Sequence, residues 1–134
     1  VYQAGTLSGN PVAMSAGLAQ LKILHNNPQW YDKLNDKSSK FFGAIEDILM
    51  ESGRHYSINY TGSLGSIFFT DKRVKDYAGA KTSDTAAFAS YCNYMLDHGI
   101  YCAPSQFEAM FISMAHTDGE LNHTLDVIRD YFRK

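Results

Sequence analysis

The chain has 134 residues, a formal net charge of -2 and 19 % charged residues. This length suits one domain with a buried core, and the near-neutral charge argues against a nucleic-acid or anionic-membrane partner. No charged residue precedes Lys22, but polar residues interrupt this opening stretch. The stretch before Lys22 is therefore predicted to be buried or to lie in an interface, and to be neither a membrane span nor a signal peptide. Because Val1 is not a natural start, we expect the chain to be part of a longer protein.

Two helices are predicted in the N-terminal part of the chain. Asn10 followed by Pro11 is typical of a helix start, because Asn caps free N–H groups and Pro has no N–H that needs a partner. Apolar residues at helical spacing extend this helix to about His25. A second helix follows Pro28 and ends at Gly53, where its apolar stripe stops.

The C-terminal part predicts strands mixed with two further helices. The predicted order is a hairpin with strands at 55–60 and 65–70, an exposed excursion at 71–82, a helix from Asp84 to His98, strands at 100–103 and 110–115, and a last helix that begins with the capping box of Thr117 and Glu120. This order indicates an α+β fold, in which a small, mainly antiparallel sheet carries helices on one face. We interpret 1–27 as a connecting or interface helix segment and 28–134 as the small α+β domain.

The histidines and cysteines do not form the pattern of a metal site. No two of the five histidines have the spacing of a helical zinc site, and Cys92 and Cys102 lack the spacing of metal ligands. We therefore expect no metal, and two reduced, buried thiols in a cytosolic protein. His116, which closes a predicted strand, is expected either to make structural hydrogen bonds or to support a nearby site.

The turn "GTLSG" at 5–9 has two possible explanations. It is a tight turn before a capped helix, or it binds an anion, because helix N-termini present free N–H groups and a positive dipole end. In the second case Thr6 supplies a hydroxyl group, and Gly5 and Gly9 let the backbone come close to a phosphate.

The loop within "APSQFEAMF" at 103–111 is the second candidate site. Glu108 lies between two apolar segments, where a solvated carboxylate is the simplest interpretation. Its neighbours Phe107 and Phe111 make partial burial plausible, and a partly buried carboxylate is either paired or functional. The spacing leaves both interpretations open.

Three stretches of the chain together resemble one protein family. They are "YQAGTLSGNP" at 2–11, "GSIFFTD" at 65–71 and "LDHGIYCAPSQFEAMFISMAH" at 96–116. They are similar to the glutamate-1-semialdehyde 2,1-aminomutases, within the class III pyridoxal-phosphate aminotransferases. The resemblance runs from end to end of the chain and corresponds to the C-terminal third of those enzymes. One departure is Met110, where the family usually has glycine.

The resemblance implies specific roles for two pairs of residues. Gly5 and Thr6 would bind the phosphate of pyridoxal 5'-phosphate held by the neighbouring subunit of a homodimer, and Ser105 and Glu108 would lie near the substrate. The lysine that holds the cofactor and the acid beside its pyridine nitrogen would belong to a large domain outside this chain. No catalytic residue is therefore expected here, and the chain by itself should be inactive.

The resemblance also implies a function for the complete enzyme. It would be a cytoplasmic isomerase that converts glutamate-1-semialdehyde to 5-aminolevulinate for tetrapyrrole (porphyrin) biosynthesis. Two alternatives stay open: a segment of another class III transaminase, or a stand-alone interaction domain without enzymatic activity.

Overall fold

The computed structural model describes residues 4–133 of the chain. The helices and strands, in chain order, are α1 (Pro11–His25), α2 (Gln29–Glu51), β1 (Ser57–Thr61), β2 (Leu64–Phe68), α3 (Tyr77–Ala80), α4 (Thr85–Asp97), β3 (Met110–Phe111) and α5 (Asp118–Phe132). None of the helices in these residues is long and apolar enough to cross a membrane. The α+β class predicted from the order of elements is confirmed.

Contacts divide the chain into two compact units, residues 1–33 and 34–134. The first unit contains α1, and none of the described side chains of this helix is buried. Val12 is 78 % exposed and Leu21 65 % exposed, so the first unit by itself leaves most of the apolar surface of α1 exposed. The interpretation of 1–27 as an interface segment stays a prediction.

The core of the second unit joins three helices to the sheet. Its fully buried side chains include Phe42 and Ile45 of α2, Met95 of α4 and Ile128 of α5. Tyr91 and Met95 of α4 and Leu121, Ile128 and Phe132 of α5 are also buried. The predicted capping box is also confirmed, because Glu120 N–H donates to Thr117 Oγ1 and Thr117 N–H donates to the Glu120 carboxylate.

The sheet is antiparallel and has the order β1-β2-β3. β1 and β2 form the predicted hairpin, in which Ser57 pairs with Phe68 and Thr61 with Leu64. Along β2 and the residue that follows it, buried Gly65, Ile67 and Phe69 alternate with less buried neighbours. One face of the sheet therefore carries the core, as period-two alternation requires.

Two of the predicted strands are wrong in whole or in part. Residues 100–103 form no strand, and the strand predicted over 110–115 is limited to Met110–Phe111. In the first segment Ile100 N–H donates to the carbonyl of Met95 at the end of α4, and Tyr101 is 84 % exposed. The backbone there closes a helix instead of joining the sheet, although its β-branched and aromatic residues favour a strand.

The excursion predicted at 71–82 is mostly exposed, as expected, but it is also attached to the rest of the unit. It contains the short helix α3, whose N-terminal N–H of Gly79 is capped by Asp76. Val74 and Ala80 are buried, and Asn59 Nδ2 donates to the carbonyl of Val74 at 2.9 Å. This hydrogen bond from β1 and the two buried side chains hold the segment against the second unit.

Gly65 allows α2 to pack directly on the sheet. A Cβ atom at Gly65 would overlap the ring of Phe42, which has no exposed surface. Phe42 also stacks on Tyr60 with ring centroids 5.3 Å apart, and Tyr60 is the β1 partner of Gly65. The ring of Phe42 thus occupies the space that a side chain on β2 would need.

Substitution of Gly65 by alanine should lower the free energy of unfolding by about 1–3 kcal/mol, the usual cost of overpacking a core. Gly43 is the matched control, because it lies in α2 and a Cβ there meets no atom within 4 Å. Gly43→Ala should be neutral or stabilising by up to about 1 kcal/mol. Urea unfolding of the two variants measures the difference, and equal effects would show that the Phe42 ring moves aside at no cost.

Candidate functional site

The opening turn of the first unit is built from two short hydrogen-bonded turns. Ser8 N–H donates to the carbonyl of Gly5 at 3.0 Å, and Asn10 N–H donates to the carbonyl of Leu7 at 3.1 Å. Gly9 has φ +75°, a value that side-chain-bearing residues rarely adopt. A Cβ on Gly5 would lie 2.8 Å from Ser8 Oγ. Thr6, at the start of the turn, is exposed.

The N-terminus of α1 offers fewer free donors than the sequence suggested. The side-chain oxygen of Asn10 accepts from Val12 N–H at 3.0 Å and from Ala13 N–H at 3.2 Å. The cap predicted at Asn10 is confirmed, but it occupies the N–H groups that were expected to attract an anion. An anion at this turn would therefore depend on Thr6 and on the backbone near Gly5.

The second candidate site is the loop 104–109, which lies between α4 and β3. Glu108 N–H donates to the carbonyl of Ser105 at 3.1 Å, and Phe107 N–H donates to Ser105 Oγ at 3.2 Å. Ser105 therefore shapes the turn that presents Glu108. Because its hydroxyl oxygen acts as an acceptor here, its hydroxyl proton can still be donated to another group.

The partial burial considered for Glu108 is not observed in the described chain. Glu108 is exposed, and Phe107 and Phe111 are 49 % and 65 % exposed. These aromatic residues therefore do not enclose the carboxylate. Phe107 instead contacts Tyr77 of α3, with ring centroids 6.0 Å apart, and Tyr77 is itself 69 % exposed. The loop presents a carboxylate flanked by exposed aromatic surface.

Gln106 anchors this loop and was not identified from the sequence. It is 4 % exposed, its Nε2 donates to the carbonyl of Ile67 at 2.7 Å, and its Oε1 accepts from Phe69 N–H at 3.1 Å. A second contact joins loop and sheet, from Ser66 Oγ to the carbonyl of Glu108 at 3.4 Å. No local pattern marks Gln106 as buried, because its partners lie 37 and 39 residues away along the chain.

A small cavity of about 20 Å³ lies beneath the loop. Its lining includes Glu108, Met110, Tyr91 and Cys102. Burial raises the pKa of Tyr91 well above its usual value, and burial together with the neighbouring Cys92 raises the pKa of Cys102 to about 11. Both groups are therefore neutral at physiological pH. Met110 is half-buried and packs against the core beside this cavity.

His116 makes the structural contacts that were one of its two expected roles. Its Nδ1 accepts from Ser113 N–H at 3.0 Å, and its carbonyl accepts from Lys37 Nζ at 2.6 Å. These bonds fix the turn before α5. Cys92 and Cys102 are free thiols, and residues 4–133 contain no group of three or more His, Cys, Asp or Glu side chains able to hold a metal ion.

Several known proteins with similar sequences carry the same enzyme name. The chain is 54 % identical over 128 residues to glutamate-1-semialdehyde 2,1-aminomutase 1 of Lachnoclostridium phytofermentans. It is 45 % identical over 134 residues to the aminomutase of Acetivibrio thermocellus and 43 % identical over 129 residues to that of Thermus thermophilus. These matches cover 96 to 100 % of the chain. The chain is homologous to the C-terminal portion of these aminomutases.

The aminomutase homology extends over only part of each relative. The chain spans about 30 % of the length of the relatives that it matches, and no protein-family model matches it. Among solved structures, an omega-transaminase from Sphaerobacter thermophilus has a TM-score of 0.79 at 21 % identity, over 99 % of this chain and 30 % of its own. A "transaminase with PLP bound" has a TM-score of 0.77 at 23 % identity, over 98 % and 29 %. These structures establish the fold.

Met110→Ala should lower the free energy of unfolding by about 1–2.5 kcal/mol, roughly half the cost of truncating a fully buried methionine. The truncation enlarges the cavity beneath the loop, which is lined by core residues that cannot fully collapse into it. Met50→Ala is the matched control, because Met50 is 66 % exposed on α2. Urea unfolding should show no significant loss for the control, and an equally small loss for Met110→Ala would mean that Met110 does not support the loop.

Proposed function

We propose that the chain is the C-terminal segment of a pyridoxal-phosphate-dependent aminomutase that converts glutamate-1-semialdehyde to 5-aminolevulinate. The observation that supports this most strongly is the 43 to 54 % identity to named aminomutases over nearly the whole chain. The product would enter tetrapyrrole (porphyrin) biosynthesis, and the complete enzyme would be a cytoplasmic homodimer. The large domain would supply the lysine that carries the cofactor.

The residues of the opening turn fit the phosphate of this cofactor. Gly5 and Thr6 are both exposed, and Gly5 has no side chain, so a bound phosphate oxygen can approach the main chain there. When bound, pyridoxal phosphate stabilises negative charge beside the reacting amino group. Within this proposal, Thr6 donates its hydroxyl proton to a phosphate oxygen and thereby helps to retain and orient the cofactor.

The loop 104–109 would contribute to the substrate site. The exposed Glu108 carboxylate can pair with a protonated amino group or accept its proton, and Ser105 can donate its hydroxyl proton to a substrate oxygen. The half-exposed ring of Phe107 beside Glu108 would exclude water from one side of the carboxylate once the large domain covers the loop. Both polar side chains bind and orient the substrate in this scheme, without forming a covalent bond to it.

An amino-donor test distinguishes the aminomutase from a class III transaminase, which is the alternative favoured by the fold shared with solved transaminases. An aminomutase both takes and returns nitrogen on the same substrate, so the full-length enzyme should turn over glutamate-1-semialdehyde without an added amino donor. The chain by itself should show no turnover. Dependence on a second amino compound would support the transaminase, and turnover by the chain alone would contradict the proposed division of the active site.

Thr6→Val in the full-length enzyme should weaken cofactor retention roughly 10- to 150-fold. The substitution keeps the shape of the side chain but removes one hydrogen bond to a charged group, which contributes about 1.5–3 kcal/mol. Thr61→Val is the matched control, because Thr61 is exposed in β1 outside both candidate sites. Equilibrium titration of the apoenzyme with pyridoxal phosphate measures both. Wild-type affinity in Thr6→Val would mean that the opening turn is only the start of a helix.

A further inference from the structure

The pairing of β2 with β3 ends before β2 itself does. Only Leu64 with Phe111 and Gly65 with Met110 are paired, although β2 continues to Phe68. Beyond this point, Ile67 and Phe69 are buried. Their main-chain polar groups on that side therefore need partners other than water, because an unpaired buried peptide group is costly.

The side-chain amide of Gln106 supplies two of these partners, while the carbonyl of Phe69 accepts from Asp84 N–H at 2.9 Å. Gln106 donates to the carbonyl of Ile67 and accepts from the N–H of Phe69 at 2.7 and 3.1 Å, so it replaces the peptide groups that a longer β3 would have offered. Both distances lie in the range of good N–H···O bonds. The contact from Ser66 Oγ to the main-chain carbonyl of Glu108, at 3.4 Å, is long for a hydroxyl donor. Gln106 is thus the stronger of the two ties between the loop and the sheet.

We propose that Gln106 is a positioning residue, which sets the place of the Glu108 carboxylate relative to the sheet. This proposal rests on the proposed function, in which Glu108 contacts the substrate. Gln106 lies two residues before Glu108, inside the turn that Ser105 closes. Phe107 is half-exposed and, among the aromatic residues of the described chain, contacts only the exposed ring of Tyr77, and Glu108 is exposed, so these two side chains contribute little burial to hold the loop in place. A shift of the Gln106 amide would therefore move the carboxylate with it.

Gln106→Glu tests the hydrogen bonds with little change in shape. The new carboxyl group can still accept from Phe69 N–H, but in its ionised form it places an oxygen against the carbonyl oxygen of Ile67. A buried carboxyl group favours its neutral form, and the neutral form can donate to Ile67 again. The defect should therefore be large at pH 8 and smaller at pH 6. Gln29→Glu is the matched control, because Gln29 is exposed at the start of α2.

The deciding experiment is a double-mutant cycle in the full-length enzyme with glutamate-1-semialdehyde as substrate. At pH 8, Gln106→Glu should lower kcat/KM at least 10-fold with cofactor content retained, and Gln29→Glu should leave it unchanged. In the Glu108→Gln background the same substitution should lower kcat/KM less than 3-fold, because the carboxylate that it misplaces is already absent. Equal costs in both backgrounds, or no pH-dependent recovery, would overturn the proposal.

A second variant keeps the test decisive if Gln106→Glu does not fold. Gln106→Asn retains a neutral amide on a side chain that is one methylene shorter, so the variant should fold. It should lose activity when Glu108 is present and not when Glu108 is replaced by Gln. Failure of the proposed function would be recognised separately, since the wild-type enzyme would then not turn over the semialdehyde without an amino donor. If the wild type is active but Glu108→Gln has no effect, Glu108 does not contact the substrate and the positioning role of Gln106 is overturned.

Discussion

The hydrogen-bonding requirement of β2 determines how the second unit presents its candidate site. This strand is buried at Gly65, Ile67 and Phe69, so its peptide groups must find partners within the protein. β1 satisfies one edge, but β3 pairs with only two residues of the other. On this second edge the amide of Gln106 bonds the carbonyl of Ile67 and the N–H of Phe69, and the loop that carries Ser105 and Glu108 is thereby attached to a buried part of the sheet. The loop therefore presents an exposed carboxylate while the buried amide of Gln106 fixes it to the sheet.

The remaining structure supports this strand from its other side. Phe42 of α2 packs on Gly65, where any side chain would overlap its ring, so the ring lies directly against the main chain of the strand. Met110 closes the space beneath the loop beside Tyr91 and Cys102. The Met110 side chain therefore fills space beneath Glu108.

The first unit has a different character, because its helix has an apolar composition but no buried side chain. The side chains of Val12, Met14, Leu18 and Leu21 are all more than half exposed. An exposed apolar surface of this extent is uncommon on a monomeric protein. This agrees with the proposal that a large domain and a second subunit complete the enzyme. The opening turn contributes Thr6 to the same proposal, while Asn10 satisfies the first N–H groups of the helix.

Local signals in the sequence determined most of the helices. The cap at Asn10, the proline after it and the capping box of Thr117 and Glu120 act within four residues, so α1 and α5 begin where the sequence predicts. The hairpin of β1 and β2 is similarly local. The resemblance to the aminomutases, which the homology supports, also came from short stretches of sequence. The roles of Gly5, Thr6, Ser105 and Glu108 stay predictions, because none of them follows from local geometry.

Only the tertiary structure decided which backbone groups are left without strand partners. Residues 100–103 have the composition of a strand but close α4 instead, and β3 is shorter than its apolar sequence suggests. The burial of Gln106 and the exposure of Glu108 follow from this pairing, since the bonds of Gln106 span 37 and 39 residues. A local sequence pattern specifies how a segment prefers to fold. The groups that hold Gln106, the carbonyl of Ile67 and the N–H of Phe69, become a strand edge only when the sheet has formed.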